Sequence, residues 1–497
     1  MKKNNWNCHL STTKNLPKLW QHQKDVILSA GSVKDYALFW EMGTGKTAAA
    51  INILRCKFER LGIIGRTLVV CPPIVIQNWR DEWIKYSQVD PARLVTLSGT
   101  AKRRLKIFSA NCIKEHSRGR IVITNYESLL MSDLFSAITK WRPEYIIFDE
   151  SHKLKSRQAR RSKLAYKLAN PKNKLPAEVL LLSGTPVLNS PMDIFQQYKI
   201  MDGGETFGNN FMFFRDRYFW DKNKGMPKHQ YFPDWEIQPH SVKKMNKLIF
   251  TKASRVTKDE ALDLPPLVQK TIKVGMNAQQ KTAYDSMKKD FIAFIDTNRG
   301  KKATFATLAM TKALRLQQIV SGYAKLEDGV EQLLGSTPKL EALKELLVEL
   351  TPDHKVLVWA TWRNNYAQIR KVCEDASIKF VEVHGSIPTG IKHNNVQRFN
   401  TDPDVRVLLG HPGSGGIGIN LVSSDVSIFY SRSFNLEHSL QAEARNHRGG
   451  SEIHKKITRI DLVCEGTIDE LVQKKLAIKQ EIGEKMLEDL TVELRSQ

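Results

Sequence analysis

Residues Tyr36–Ile51 read YALFWEMGTGKTAAAI. The continuous apolar run Tyr36 to Trp40 predicts a buried strand, Gly43 and Gly45 predict a tight turn, and Ala48, Ala49, Ala50 and Ile51 predict a helix. A strand apolar on both faces belongs in a parallel sheet covered by helices on both sides. In that strand, turn, helix context the glycines let backbone N–H groups close around phosphates, Lys46 reaches the β and γ phosphates, and Thr47 holds Mg²⁺. Gly43, Thr44, Gly45, Lys46 and Thr47 are therefore expected to bind a nucleoside triphosphate. The strict phosphate-loop pattern has a glycine where Trp40 stands, so the reading rests on the flanking elements.

Working outward, further short apolar runs at 67–71, 120–124, 145–148 and 179–182 alternate with helical stretches, and residues 1–200 are expected to form one doubly wound α/β lobe. The pattern returns at 355–360, 380–383, 405–409, 426–430 and 456–463, which predicts a second α/β lobe over 331–497. Residues 201–330 differ. Aromatic and basic residues crowd 211–250, Leu264, Pro265 and Pro266 punctuate, and 276–320 looks helical, so this region is expected as an inter-lobe insertion. An amphipathic helix is expected from Thr467 toward Leu494, docked on the second lobe.

The run Tyr145, Ile146, Ile147, Phe148 leads directly into Asp149 and Glu150, two acids at the exit of a buried strand, where sheets of this class bind ligands. Successive residues there point differently. Asp149 is expected to face the Mg²⁺ shell beside Thr47, and Glu150 to polarise an attacking water as general base.

Lys and Arg total 76 against 52 Asp and Glu in 497 residues, a formal net charge of +24, which predicts a polyanionic partner. No run approaches the roughly 18 apolar residues of a membrane span, and the start lacks a signal-peptide core, so a soluble cytoplasmic protein without membrane association is expected. The six cysteines show no zinc-type spacing and are expected as reduced thiols.

The phosphate loop together with Asp149, Glu150, Ser151 and His152 resembles a superfamily 2 helicase or translocase, and further segments narrow the resemblance to the Swi/Snf-related ATPases over almost the whole chain. Leu19 to Gln23 resembles the family's adenine-reading segment, with Gln23 in the place of its glutamine. Thr67 to Trp79 and Thr124 to Glu127 resemble segments that touch the nucleic-acid backbone, which implies contacts from Asn125 and Tyr126. Leu182 to Pro186 resembles the S/T-G-T-P segment, which implies a coupling role for Ser183 and Thr185. Arg255 to Lys258, Leu264 to Pro266 and Leu314 to Ile319 echo Swi/Snf-type insertions. Gly415 to Leu421 resembles the fifth motif, placing Gly416 and Gly418 at the nucleotide, and Gln441 to Arg448 resembles the sixth, placing Gln441 there too. Arg445 and Arg448, three apart and expected on one helix face, become candidate arginine fingers. The family usually continues with an apolar residue, glycine and glutamine, where this chain has Gly449, Gly450 and Ser451.

The resemblance implies two RecA-like lobes, ATP and Mg²⁺ as nucleotide and metal, and a compact phage- or bacterial-type protein without accessory domains, in the host cytoplasm if phage-encoded. Basic residues that include Lys155 and Arg157 follow the acid pair, so sequence-non-specific, salt-sensitive binding of double-stranded or branched DNA is expected. The leading expectation is a DNA translocase that remodels forks or migrates branches in repair or recombination. A strand-separating DNA or RNA helicase and an ATP-gated nucleic-acid clamp without turnover are the alternatives.

Overall fold

The computed structural model describes residues 16–87, 89–112, 119–187, 190–227, 231–261, 263–297, 303–325, 331–413 and 419–488. They divide into two compact units. The first takes in the chain up to Trp220 together with Ile237–Leu262 and the described residues from Ile482, and the second Asp221–Glu236 with Asp263–Glu481.

The first unit is built on seven strands: β1 (Tyr36–Trp40), β2 (Thr67–Cys71), β3 (Leu94–Thr96), β4 (Ile121–Asn125), β5 (Tyr145–Asp149), β6 (Glu178–Leu182) and β7 (Ala253–Val256). They lie in the order β3-β4-β2-β5-β6-β1-β7, and every pairing is parallel. β1, β2 and β4 are buried throughout, as their uninterrupted apolar runs require once helices cover both faces. The order puts β5, β6 and β1 side by side, with Asp149 opposite Leu182 and Leu38 opposite the same Leu182. The exits of these three strands therefore share one edge of the sheet, and each leads into one of the segments singled out from the sequence.

The second unit repeats the plan with β8 (Leu267–Val274), β9 (Val356–Trp359), β10 (Phe380–Val383), β11 (Val407–Gly410), β12 (Val426–Phe429) and β13 (Ile457–Cys464) in the order β8-β13-β12-β9-β11-β10, again all parallel. Helices Pro338–Leu350 and Arg363–Asp375 bury Leu343, Leu347, Ile369 and Val372 against Val356, Val358, Ile428 and Ile460. The two-lobe α/β architecture expected from the sequence is the architecture found. The long helix Ile468–Glu488 packs Ile468, Val472 and Leu476 against Leu316, Ile319 and Val320 of this same unit.

The region 201–330 is not a separate insertion. Its strand β7 extends the first sheet beside β1, and its strand β8 runs the full length of β13 at the edge of the second. Edge strands keep one side toward solvent, so Leu267–Val274 carries Gln269, Lys270 and Lys273 among its apolar residues and lacks the continuous run that marks a central strand. The helical reading of 276–320 corresponds to helices Ala278–Thr297 and Ala303–Val320. Of the aromatic cluster, Phe214, Tyr218 and Phe219 are buried, and Phe214 packs on Phe195 and Phe207. These rings are a small core; Phe213 and Trp220 are exposed.

Cys71, Cys112, Cys373 and Cys464 are free and buried, as expected, whereas Cys56 is disulfide-bonded. Among the described residues no helix is long and apolar enough to cross a membrane.

A buried charge cluster locks the second unit. Arg432 leaves β12 with its guanidinium 3.6 Å from the Phe429 ring, donates to Asp461 of β13 at 2.5 and 3.2 Å, and donates to Glu443 at 2.8 Å. Glu443 also pairs with Arg459 of β13 at 3.2 Å. Two positive and two negative groups thus satisfy one another with at most 16% of any side chain exposed, and removing one leaves the others uncompensated. Arg432→Met is expected to destabilise the protein by about 3–5 kcal/mol. Chemical denaturation of the variant beside the parent checks this; a change under about 1 kcal/mol contradicts the locking role.

Candidate active site

At the exit of β1 the chain turns through Gly43 and Gly45, both in the left-handed region at φ 91° and 79°, and Gly45 caps the helix Lys46–Leu61. Only glycine adopts that conformation without strain. A Cβ on Gly45 would also lie 2.2 Å from Gln23 Nε2 and 3.0 Å from the Trp20 ring. The cradle is closed around backbone, as a loop that wraps phosphates must be. Lys46 is the first residue of the helix, and its ammonium donates to the carbonyls of Trp40 at 2.8 Å and Glu41 at 3.0 Å, so a positive charge lies within the turn.

The Trp40 departure has a structural account. Trp40 is the last residue of β1, fully buried, and its indole donates to Ser254 Oγ of β7 at 2.9 Å. The missing glycine lies in the strand rather than in the turn. The preceding segment packs onto the loop: His22 Nε2 lies 2.9 Å from the Thr44 carbonyl oxygen, and its ring meets Trp40 edge-on at 5.1 Å. Gln23 is buried; its Nε2 donates to the Gly45 carbonyl at 3.1 Å, and its Oε1 accepts from Trp20 N–H at 2.8 Å. One amide hydrogen of Gln23 is committed to the loop and one lone pair to the cap of its own helix, which leaves one of each.

Two strands away, the Asp149 carboxylate accepts from the Trp79 indole at 2.9 Å through Oδ2 and from the Glu150 backbone N–H at 3.0 Å through Oδ1. Burial pushes its pKa from the ordinary 3.8 up to about 6, and the Glu150 charge pushes the same way. The Trp79 hydrogen bond and the Lys46 charge pull against them, which ties the acid electrostatically to the lysine of the glycine turn. Glu150 adopts the left-handed conformation, φ 55° and ψ 54°, so its side chain leaves the strand direction Asp149 follows. The divergence of the two acids expected from the sequence is thereby built into the backbone. An acid held ionisable by hydrogen bonds near a lysine and a glycine cradle suits a Mg²⁺ triphosphate, with Asp149 and Thr47 as the residues of this unit to hold the metal.

The acid pair is wired to the third strand exit. Glu150 Oε2 lies 3.3 Å from His152 Nδ1, and the same nitrogen lies 3.2 Å from Ser183 Oγ. Ser183 Oγ accepts from Thr185 N–H at 3.1 Å, and the Ser183 N–H donates to the Leu38 carbonyl of β1 at 3.1 Å. A parallel link runs from Ser151 Oγ to Gln197 Oε1 at 2.8 Å, and from Gln197 Nε2 to the Pro186 carbonyl at 2.8 Å. Gly184 packs on the loop itself, since a Cβ there would lie 3.1 Å from Met42 Cγ. Ser183 and Thr185 thus sit against the catalytic candidates. Sequence reasoning missed His152 and Gln197 as the connecting residues; the first lay in the quoted D-E-S-H, whereas the second carried no local signal.

Asn125 and Tyr126 require correction. Both are buried rather than presented to a polymer. Asn125 Oδ1 caps the turn Tyr126–Leu130 by accepting from Ser128 N–H at 3.2 Å, and also accepts from Arg104 at 2.6 Å. The Tyr126 hydroxyl donates to the Asp149 carbonyl at 2.7 Å, which makes it a support of the acid's backbone. Lys155 pairs with Asp193 at 3.4 Å, and Arg157 is exposed with its guanidinium 4.1 Å from the Phe211 ring.

In the second unit, Gly416 and Gly418 lie outside the described residues. Gln441 is fully buried and donates to Glu437 at 3.0 Å. The helix Leu436–Glu443 ends before the two arginines, so Arg445 and Arg448 do not share a helix face; they stand in the turns that follow. Glu443, drawn to Arg432 and Arg459, is the last helical residue. The two guanidinium groups nevertheless converge, both donating to the Ile419 carbonyl, at 3.1 and 3.4 Å. His447 lies 3.1 Å from the Pro265 carbonyl oxygen, which joins the Leu264 to Pro266 segment to this turn.

The SNF2-related domain family matches residues 5–322, and the helicase conserved C-terminal domain family matches residues 338–450. The chain belongs to the SNF2-related family. Similar SNF2-related proteins include Chromodomain-helicase-DNA-binding protein 1-like of Mus musculus, 26% identical over 90% of this chain and 47% of that protein. Transcription regulatory protein SNF2 of Saccharomyces cerevisiae is 24% identical over 93% of this chain and 28% of its own length. The chain therefore spans about half or less of these curated SNF2-related relatives. The solved Sulfolobus solfataricus SWI2/SNF2 ATPase core in complex with dsDNA aligns with 96% of this chain and 94% of that one, at 20% identity and a TM-score of 0.43.

The raised Asp149 value sets a pH dependence. Between its unfolded value near 3.8 and its folded value near 6 the folded state holds the proton more tightly, so ionising Asp149 costs stability as pH rises through that window. Asp149→Asn removes the cost and is expected to be more stable than the parent at pH 7.5, with the difference shrinking toward pH 4. Urea denaturation at both pH values checks this, and a pH-independent difference contradicts it.

Proposed function

We propose that this chain is a DNA-dependent ATPase that moves along duplex DNA and remodels forks or branched junctions. The observation that carries the reading is the shared sheet edge, where the Lys46 turn, the Asp149 and Glu150 pair and the Ser183 to Pro186 segment leave three neighbouring strands. In this reading Gly43 to Thr47 wrap the triphosphate, Gln23 uses its remaining amide valences on the base, and Lys46 balances phosphate charge. Mg²⁺ held by Thr47 and Asp149 would draw charge from the phosphate oxygens. Glu150 polarises the attacking water, and a change in its hydrogen bonding reaches Ser183 through His152. Arg445 and Arg448 are the residues assigned to stabilise transition-state charge. The formal charge of +24 and membership of the SNF2-related family support a duplex partner.

Phosphate release is expected to rise on adding duplex or branched DNA more than on adding single-stranded DNA or RNA. Glu150→Gln should abolish the stimulated rate while ATP still binds, and Arg448→Ala should slow turnover with binding retained. A triplex-displacement assay reads movement on the duplex. Efficient unwinding of tailed duplexes would instead indicate a strand-separating helicase, and stimulation that survives Glu150→Gln would sink the catalytic assignment.

A further inference from the structure

Between Glu150 and Glu178 the chain carries no acidic residue, yet it carries Lys153, Lys155, Arg157, Arg160, Arg161, Lys163, Lys167, Lys172 and Lys174. The helix Arg160–Ala169 organises part of this run. Its inner face buries Ser162, Ala165, Leu168 and Ala169, which turns Arg160, Lys163 and Lys167 outward, all three exposed. At positions i, i+3 and i+7 they form one stripe along about 10 Å of helix.

Beside the stripe lies a groove of about 580 Å³, and Lys163 belongs to both. Its walls include Arg157, Tyr166, Phe195, Lys199 and Phe211. Here the cations rest on rings instead of carboxylates: Arg157 on Phe211 at 4.1 Å, and Lys199 over Tyr166 at 5.4 Å and Phe195 at 6.0 Å. A cation on an aromatic face keeps its full charge available to an incoming anion, unlike one neutralised by an acid.

We propose that this stripe and groove form a nucleic-acid backbone surface of the first unit, additional to the strand-exit segments and suited to duplex DNA. A 10 Å stripe faces about six charges of a duplex, at one per roughly 1.7 Å of axis, so three cations meet a surplus of phosphates without reading sequence. An acidic polypeptide would satisfy the charge as well, but its carboxylates have no fixed spacing to match a rigid helical row, whereas duplex phosphates do. The inference deepens the proposed duplex partner and rests on that reading only for the choice of polymer.

The test is equilibrium binding of a 20-base-pair duplex of arbitrary sequence to the full chain without nucleotide, from 50 to 200 mM salt. The triple variant Arg160→Ala, Lys163→Ala, Lys167→Ala substitutes exposed helical positions with the residue that best favours helix. It is expected to bind at least roughly tenfold more weakly at 0.1 M salt and to flatten the dependence of log affinity on log salt by about 2 to 3. The charge-conserving variant Arg160→Lys, Lys163→Arg, Lys167→Arg should keep the parental slope. Hydrolysis without DNA should be the same in all three proteins, which separates this surface from the nucleotide site. If the alanine variant retains parental duplex affinity and slope, or loses affinity for poly-glutamate alone, the surface is not a nucleic-acid site. A parent that binds duplex as expected but never hydrolyses ATP would remove the motor reading and leave this surface standing.

Discussion

A carboxylate has been taken out of water at the end of β5, and its surroundings are arranged to let it ionise. Burial and the Glu150 charge push the Asp149 pKa up, while the Trp79 indole, the Lys46 charge and the Glu150 N–H pull it down. Trp79 and Lys46 come from other parts of the chain, so the acid acquires its character only when the first sheet is assembled in the order found. The same order brings Gly184 against the turn that carries Lys46. Lose the β5, β6, β1 adjacency and neither relation survives.

What the sequence made legible follows from how strongly a residue's environment is written in its immediate neighbours. Central strands such as Tyr36–Trp40 and Tyr145–Asp149 carry unbroken apolar runs because both faces are covered, and the glycines beside them have few other uses. Edge strands β7 and β8 stayed hidden because solvent on one side permits Arg255, Gln269 and Lys270, and the region holding them read as an insertion. Asn125 and Tyr126 show a different loss. Their position next to a strand end was visible, but not that Ser128 and Arg104 would draw the amide inward, or that the phenol would reach the Asp149 carbonyl. The link from Ser151 through Gln197 to Pro186 joins residues far apart in sequence, and no local pattern announces such a bond.

The second unit applies the same chemistry to a different end. Arg432, Arg459, Glu443 and Asp461 form a closed set of buried charges that fixes the helix preceding Arg445 and Arg448. Helical spacing put the two arginines on one helix face, whereas the helix ends at Glu443, ahead of both. They meet on the Ile419 carbonyl from a turn, and Gly449, which stands where the family usually has an apolar residue, follows that turn directly.

We propose that the shared edge of β5, β6 and β1 holds a Mg²⁺ triphosphate between Lys46 and Asp149. Titration of ATP, with and without Mg²⁺, into the parent, Lys46→Ala and Asp149→Asn tests it most directly. The parent is expected to bind with Mg²⁺ enhancement, Lys46→Ala at least roughly tenfold more weakly, or about 1.4 kcal/mol, and Asp149→Asn to lose the Mg²⁺ enhancement. Parental affinity and parental Mg²⁺ enhancement in both folded variants would contradict it.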